Sequence, residues 1–364
     1  MTRVVIATGS FGGPATYSKL LAEKLPAYDY EVKVVSFDEV LKYPKVVRHL
    51  TYFFKLFFKS FNADIIYAQD PVSVGLPAIF AAKIAGARFF LKIVGDYAWE
   101  QGVLRFDVKD QLDDFVAKNN YHLAVRFLRY VERFVANRAE KIIVPSKYLK
   151  GVVGKWGIDK DKISVIYNAF VKPEIIATKE ELKRKFGFKY PTIISIGRLV
   201  PWKGFPILIK ATEILKKEFP KIELYIIDDG PDKEFLVKMA GDLKIKSDVV
   251  FVGRMPQNEV YEYLKAADVF ALVSSYEGFS HLLLETLAIG TPVVTTPVGG
   301  NVEIIKNGEN GLFVPFGHAA KTAEAIGKIL HDKEFALRLV ANGRLAVSGF
   351  TEESMLHKLS LVLR

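Results

Sequence analysis

The chain contains no cysteine, which excludes disulfides, a thiol nucleophile and any metal site built on thiolates. Its six histidines occur in no H-E-x-x-H or similar cluster, so the sequence predicts no metal site. No apolar run reaches the roughly 18 residues that a membrane-spanning helix needs. The chain enters a strand-like run at once, without a signal-peptide pattern, and we therefore expect a cytoplasmic protein.

The 364 residues, half of them hydrophobic, are enough for two domains with sizeable cores. The formal net charge is +10. This excess indicates either a soluble, lysine-rich surface or a face attracted to anionic lipid or to phosphorylated ligands. Nucleic-acid binding is not predicted, because the basic residues are scattered and form no recognisable module.

Short apolar runs alternate with helical patterns along the whole chain, which predicts parallel sheets built from β-α-β units. The fold class is therefore α/β, with two doubly wound, Rossmann-like domains. The predicted strands are residues 3–8, 31–37, 64–68, 89–94, 141–145, 162–167, 192–196, 222–227, 249–252, 268–274 and 312–315. Residues 107–138 are predicted to be largely helical, with Arg126, Arg129, Arg133 and Arg138 on a solvated face.

The most informative stretch runs from Ser274 to Gly290 and reads S-S-Y-E-G-F-S-H-L-L-L-E-T-L-A-I-G. It follows a predicted strand, turns at Gly278 and enters a helix for which Ser280 is the expected N-cap. Free N–H groups and the positive end of the helix dipole would face the turn, which suits an anion. Glu277 lies before the helix and Glu285 inside it, so the two carboxylates can reach different parts of one ligand.

This stretch resembles the C-terminal signature of the retaining glycosyltransferases of family 4, which have the GT-B fold. The pattern E-x7-E is followed by Gly290-Thr-Pro-Val-Val294 and by Gly299-Gly300-x-x-Glu303. The segment Gly197-Arg-Leu-Val-Pro-Trp-Lys-Gly204 is similar to the phosphate-binding loop of the same family. The resemblance is strong in the second half of the chain and looser in the first, and it implies two domains that face a cleft.

The resemblance also implies roles for individual residues. Arg198 and Lys203 would bind the donor diphosphate, whereas in isolation such a pair could be two surface cations. Glu277 would orient the donor sugar, and Glu285 would accept hydrogen bonds from the ribose. The remaining predicted donor contacts are the turn residues Phe279, Ser280 and His281, together with Arg254 in the loop expected to hold the base.

In the first half, Gly12 and Gly13 lie in a glycine-rich turn that does not match the dinucleotide motif G-x-G-x-x-G. A tight strand-to-helix connection explains the two glycines, but the family places such a pair near the donor diphosphate and the acceptor. Asp96 follows the predicted strand 89–94. The resemblance suggests that Asp96 contacts the transferred sugar, and the alternative is that it caps a helix or turn.

Residues 46–61 form an unusual predicted helix. One stripe carries Val46, Val47, Leu50, Phe53, Phe54, Phe57, Phe58 and Phe61, whereas Lys45, Arg48, His49, Lys55 and Lys59 lie off it. The stripe either packs on the sheet or contacts a membrane surface. With the second interpretation the protein would be peripheral on the inner face of the cell membrane.

The expected domains are 1–170, on the acceptor side, and 171–350, which would bind the nucleotide-sugar, with helix 351–364 packing back on the first. The expected reaction is metal-independent transfer of a hexose-type sugar, with retention, from a UDP- or GDP-sugar to a hydroxyl. The acceptor would be a lipid-linked or cell-envelope glycan, and no cofactor is expected. The alternatives are a nucleotide-sugar 2-epimerase of the same fold and a non-catalytic nucleotide-sugar-binding protein.

Overall fold

The computed structural model describes residues 1–9, 13–171 and 173–364. They divide into two compact units: an N-terminal unit of residues 1–168 and 352–364, and a C-terminal unit of residues 169–351. Each unit contains one six-stranded sheet, and the strands of both sheets pair in parallel. The predicted α/β class with two doubly wound sheets is thus confirmed.

The sheet of the N-terminal unit has the strand order β2-β1-β3-β4-β5-β6. Its strands are β1 Thr2–Thr8, β2 Tyr30–Ser36, β3 Ile65–Ala68, β4 Arg88–Lys92, β5 Lys141–Val144 and β6 Ile163–Val165. Its helices are α1 Gly13–Lys24, α2 Lys45–Lys59, α3 Gly75–Ala85, α4 Tyr97–Arg105, α5 Leu112–Ala117, α6 Leu123–Arg138 and α7 Lys147–Lys155, together with the C-terminal helix, Glu352–Leu363.

The central strands are apolar throughout because helices cover both faces of a doubly wound sheet. All four residues of β3 are buried, and Val4 to Ala7 of the neighbouring β1 are at most 2% exposed. The connection from β1 to β2 runs toward one edge of the sheet. The connections from β2 to β3, β3 to β4 and β4 to β5 run toward the opposite edge. Right-handed crossovers therefore place α1 on one face of the sheet and α2, α3 and α6 together on the other.

The C-terminal helix belongs to the N-terminal unit. Tyr30 Oη donates to the carbonyl of Ser360 at 2.9 Å, and Arg88 Nη1 donates to that of Leu363 at 3.3 Å. Met355, Leu356, Leu359 and Leu363 of this helix are buried. The last segment of the chain therefore completes the core of the unit formed by the first.

The sheet of the C-terminal unit has the order β12-β11-β10-β7-β8-β9. Its strands are β7 Thr192–Ile196, β8 Glu223–Ile227, β9 Val249–Gly253, β10 Val269–Leu272, β11 Val293–Thr295 and β12 Leu312–Phe313. Its helices are α8 Lys179–Phe186, α9 Phe205–Leu215, α10 Lys233–Asp242, α11 Gln257–Ala266, α12 His281–Ile289, α13 Ala319–His331 and α14 Lys333–Ala346; the C-terminal helix named above is α15. One apolar core joins β7, β8 and β10 to α9 and α13.

The region 96–138 departs from the prediction. Helix α4 was not predicted, and the predicted helical stretch 107–138 is divided into α5 and α6. Arg129 was expected on a solvated face, but it is only 7% exposed, so that expectation is wrong. Its guanidinium donates to the carbonyls of Val116 and Lys118, at the C-terminal end of α5. A long-range contact therefore satisfies the carbonyls at the end of a short helix.

Burial along helix α2 tests whether its apolar stripe packs on the sheet, which is one of the two alternatives left open by the sequence. Among the described side chains of α2, Tyr52 and Leu56 are buried, and Tyr52 Oη donates to the carbonyl of Val35 at 2.8 Å. The outer members of the predicted stripe are exposed, among them Phe54 at 53% and Phe58 at 69%. Packing of the whole stripe on the sheet is thus wrong. No helix of the described residues is long and apolar enough to cross a membrane.

Candidate functional site

The sheet of the C-terminal unit reverses its strand order between β7 and β10. From β7 the chain continues to β8 and β9 on one side, and from β10 to β11 and β12 on the other. Ligands of open parallel sheets bind outside the carboxyl ends of the strands at such a switch point. Arg198 and Lys203 follow β7, and Glu277 follows β10. The topology therefore brings these three predicted site residues to one place.

The central contact of the site is an ion pair between two predicted site residues. Lys203 Nζ lies 2.7 Å from Glu277 Oε1, and the two side chains are only 20% and 10% exposed. Ser274 Oγ donates to the same carboxylate oxygen at 2.6 Å. The other oxygen, Oε2, is not used by either contact. Arg198 is exposed at the same strand end.

Glycines fix the loop that carries Glu277. A Cβ on Gly299 would lie 1.8 Å from the carbonyl oxygen of Glu277, and Gly300 N–H donates to that oxygen at 2.9 Å. Gly204 has a φ of +71°, and a Cβ there would lie 2.1 Å from the carbonyl oxygen of Val273. Any larger residue would push the loops apart, so these glycines hold Lys203 and Glu277 within ion-pair distance.

Helix α12 begins as predicted. Ser280 is its N-cap and accepts a hydrogen bond from Leu283 N–H at 3.3 Å. Phe279 and Ser280 are buried, and His281 is the first helical residue. The first turn of α12 therefore directs N–H groups toward the loop that holds Glu277, as an anion site requires.

Glu285 lies one turn further along α12. Tyr261 Oη donates to its Oε1 at 2.9 Å, and Gln257 Nε2 donates to its Oε2 at 3.4 Å. Burial raises the pKa of Glu285 to about 7, an effect that the Tyr261 hydrogen bond partly opposes. Both neighbours come from α11, which the sequence did not connect with this carboxylate.

Arg254 follows β9 and pairs with Asp228, with 3.3 Å between Arg254 Nε and Asp228 Oδ1. Asp228 has a φ of +103°, and its N–H donates to the carbonyl of Gly253 at 2.9 Å. Asp228 thus forms part of a turn and an ion pair beside the site.

In the N-terminal unit, Gly12 lies outside the described residues, and Gly13 is the exposed first residue of α1. Asp96 is 1% exposed and caps α4, because its Oδ1 accepts from Trp99 N–H at 2.8 Å. Burial raises the pKa of Asp96 to about 6. The capping alternative is therefore confirmed, and the predicted contact with a sugar stays a prediction.

A second buried carboxyl group and a buried amine lie in the same unit, and neither was predicted from the sequence. Glu132 accepts from the N–H groups of Tyr97 and Ala98 at 2.7 and 3.2 Å, and burial raises its pKa well above the usual value. Lys92 donates to Asn168 Oδ1 at 2.8 Å, and burial lowers its pKa. A lysine at the end of the apolar strand Arg88–Lys92 was the available signal. Among the described residues no group of acidic or histidine side chains is arranged to hold a metal ion.

Comparisons with known proteins identify the family and the fold. Two family models together match most of the chain: Glycosyltransferase Family 4 over residues 11–170 and Glycosyl transferases group 1 over residues 178–346. The fold is that of the Anabaena protein HepE in its crystal structure with UDP-glucose. The TM-score is 0.80 at 19% identity, and the match covers 100% of this chain and 99% of that one.

Two relatives match this chain over different lengths. An uncharacterized glycosyltransferase of Methanocaldococcus jannaschii is 32% identical over 92% of this chain and 89% of its own length. The lipopolysaccharide core biosynthesis glycosyltransferase LpsE of Rhizobium meliloti is 35% identical over 54% of this chain and 56% of its own length. The chain thus spans about half the length of LpsE. The two family models and the nearly full-length archaeal relative show that this chain belongs to the group 1 and family 4 glycosyltransferases, with the GT-B fold.

Proposed function

We propose that this protein is a retaining hexosyltransferase that uses a nucleoside diphospho-sugar, with UDP or GDP as the nucleotide. The acceptor is a hydroxyl group of a glycolipid or cell-envelope glycan. The observation that carries the proposal is the Lys203–Glu277 pair at the switch point of the C-terminal sheet. An ammonium group has three N–H donors, so Lys203 can hold Glu277 and still donate to a phosphate.

The barrier of this reaction is set by charge, because an oxocarbenium-like sugar forms while the diphosphate departs. Arg198, Lys203 and the N–H groups at the start of α12 stabilise the departing diphosphate. In the proposed mechanism these donors offset the charge of the departing diphosphate without a metal ion. Charge-assisted hydrogen bonds of this kind are worth roughly 1.5–3 kcal/mol each.

The two glutamates have separate roles in the proposal. Glu277 uses its second oxygen to orient the hydroxyls of the donor sugar, while Lys203 and Ser274 hold the first. Glu285, held by Tyr261, accepts hydrogen bonds from the ribose. Arg254 contacts the base, and Phe279, Ser280 and His281 line the diphosphate. The family resemblance further assigns Gly12 and Gly13 to the donor diphosphate and the acceptor, and Asp96 to the transferred sugar.

In the bond-making step, the acceptor oxygen forms a bond to the anomeric carbon as the bond from that carbon to the phosphate oxygen breaks. The acceptor proton passes to the departing phosphate on the same face. This route retains the anomeric configuration without a covalent nucleophile on the protein, and it requires no cofactor.

The proposal includes contact between α2 and the inner surface of the cell membrane. The exposed side chains Leu50, Phe54 and Phe58 support this contact, as does the absence of any acidic residue from α2. Amphipathic helices of this composition bind at the lipid interface. The relative LpsE acts in lipopolysaccharide core biosynthesis, according to its name, which agrees with an envelope acceptor.

The first test is thermal shift of the purified protein with UDP, GDP, ADP and CMP, without added metal. We expect one diphosphate to stabilise the protein clearly, which would identify the donor class. Incubation with the matching nucleotide-sugar and a hydroxyl acceptor should then release nucleotide and give an α-linked product from an α-linked donor. Formation of a 2-epimer would favour the epimerase, and binding without turnover would favour a binding protein.

A further inference from the structure

A second apolar ridge lies on the helical face that carries α2. Leu123, Phe127 and Tyr130 follow one side of α6, and all three are at least 63% exposed. On α3, which packs between α2 and α6, Phe80 and Ile84 are also exposed. Exposed apolar surface that extends over three neighbouring helices marks an interaction site more often than a solvated face.

The exposed charges of helices α2, α3 and α6 themselves are of one sign. Helices α2 and α3 contain no acidic residue, and the one acidic residue of α6, Glu132, is buried. Exposed cations include Lys59, Lys83, Arg126 and Arg138. By contrast, every helix of the C-terminal unit, α8 to α14, contains at least one aspartate or glutamate. The face α2-α3-α6 is therefore complementary to an anionic surface.

A cleft of about 580 Å³ opens between α3 and α6. Phe80 and Phe134 form apolar walls, with 6.5 Å between their ring centroids. Three cations line it: Lys83 from α3, Arg138 from α6 and Lys162 from the loop before β6. Cations in the last turn of a helix also offset its dipole, but Lys162 belongs to neither helix and is not explained in that way.

None of the three lining cations forms an ion pair with a carboxylate of the described residues. The Arg138 guanidinium stacks 3.6 Å from the Phe134 ring centroid and donates to the carbonyl of Phe134. Lys162 Nζ donates to the carbonyl of Asn137 at 3.2 Å. The one acidic residue of the lining, Glu140, uses both carboxylate oxygens to bind Arg88. The cleft therefore presents positive charge beside aromatic rings.

We propose that the α3-α6 cleft binds the phosphate head group of an anionic membrane lipid, and that the α6 ridge inserts beside it as a second anchor. This inference rests on the proposed membrane contact of α2 and extends it to the whole α2-α3-α6 face. A second copy of the chain is a poor occupant, since pairing this face with itself would oppose cations to cations. A bilayer offers acyl chains for the ridge and phosphates for the cations at the same depth.

The test measures co-sedimentation of the full chain with vesicles of phosphatidylcholine alone or with phosphatidylglycerol. We expect binding to the anionic vesicles, with a sharp loss at high salt because surface attraction is screened. The ridge variant Phe127→Ser/Tyr130→Ser should weaken binding by about tenfold, since it removes two inserted side chains. Leu337→Ser/Leu345→Ser is its matched control, because both leucines are exposed on α14.

The cleft is tested by Lys83→Gln/Arg138→Gln against Lys217→Gln/Lys238→Gln, which removes the same net charge from exposed positions of the C-terminal unit. We expect about tenfold weaker binding to anionic vesicles for the cleft variant and a much smaller change for the control. Equal losses would overturn the head-group site. So would equal binding of wild type to neutral and anionic vesicles, or full competition by soluble glycerol phosphate.

Failure of this inference can be told apart from failure of the proposed function. If Phe54→Ser/Phe58→Ser abolishes vesicle binding while the α6 and cleft variants bind as wild type does, the α2 contact stands and this inference is wrong. If no variant differs because wild type does not bind, the membrane contact fails as a whole. Thermal shift with nucleoside diphosphate and sugar transfer to a soluble acceptor test the enzyme separately. Dimerisation that the α6 substitutions abolish would assign the face to a second copy.

Discussion

The carboxyl ends of the two sheets use charged residues in different ways. In the C-terminal unit, Lys203 and Glu277 form an ion pair at the switch point, and Ser274 donates to the same carboxylate oxygen. In the N-terminal unit, Asp96 and Glu132 are buried against the first N–H groups of α4. Carboxylates therefore form an ion pair with a lysine in the candidate site of one unit and accept from helix N–H groups in the other. The partners of each carboxylate make the difference: an ammonium group in the first case and backbone N–H groups in the second.

The largest effect is expected for Lys203→Ala. Without the ammonium group the departing diphosphate loses a charge-assisted donor, so we expect kcat/KM to fall by about 10³-fold and nucleotide affinity by about tenfold. Steady-state kinetics and calorimetry measure the two losses. The variant also leaves Glu277 unpaired and should be less stable by on the order of 1–3 kcal/mol.

A matched control is Lys216→Ala, since Lys216 forms an ion pair with Asp248 whose side chains are similarly buried. It should lose comparable stability and keep its activity. A comparable fall in kcat/KM in the control would mean that Lys203 acts through folding alone, and the difference between the two units would then disappear.

Glu277→Ala should lower kcat by about 10²-fold, because the donor sugar loses the group that orients it. Nucleotide binding should persist, since Lys203 is released from its carboxylate partner and stays available to the diphosphate. Turnover with saturating donor, together with UDP or GDP titration, separates these effects. Unchanged turnover would show that Glu277 does not act in the site. Glu277→Gln can still accept a hydrogen bond from Lys203, so its kcat should lie between those of wild type and Glu277→Ala.

Glu285 predicts a pH dependence. Its pKa of about 7 means that the carboxylate becomes ionised between pH 6 and pH 8, and the ionised form accepts best from the ribose hydroxyls. We therefore expect nucleotide affinity to rise about tenfold over this range, and Glu285→Gln to abolish the rise. Titrations with nucleoside diphosphate at each pH measure it. A pH slope that persists in Glu285→Gln would assign the titration to another group.

The smallest effect is expected for Asp96→Asn. Asparagine can still cap α4. The pKa of Asp96 is raised to about 6, so the folded protein holds this proton more tightly than the unfolded chain does. Stability from this group is therefore present at low pH and lost as pH rises from about 4 to about 6. The variant should match wild type near pH 4 and be more stable by about 1–2 kcal/mol at pH 8, measured by urea unfolding.

The same variant tests whether Asp96 takes part in sugar transfer or serves only the fold of its unit. If Asp96 serves the fold alone, transfer by Asp96→Asn should stay within about threefold of wild type. A larger loss of turnover with unchanged nucleotide binding would support the predicted contact with the sugar. That result would also require the buried Asp96 side chain to become accessible to the sugar.

Local patterns in the sequence determined much of this protein. Apolar runs identified the strands, and β7 was predicted to the residue, because buried parallel strands are apolar on both faces. Ser280 signalled the start of α12, since an N-cap is a contact within a few residues. The spacing of Glu277 and Glu285 and the Gly197–Gly204 loop identified the candidate donor site, because each motif lies within one short stretch of the chain.

Which side chains meet depends on how the distant parts of the chain fold together. Strand order brings Lys203 to Glu277 across 74 residues, and α11 supplies Tyr261 to Glu285, which no local pattern encodes. The α2 stripe has the periodicity of a packed helix, but burial falls on Tyr52 and Leu56 instead. Helical periodicity shows that a face is apolar, and what covers that face depends on parts of the chain, or on partners, that lie far away in sequence.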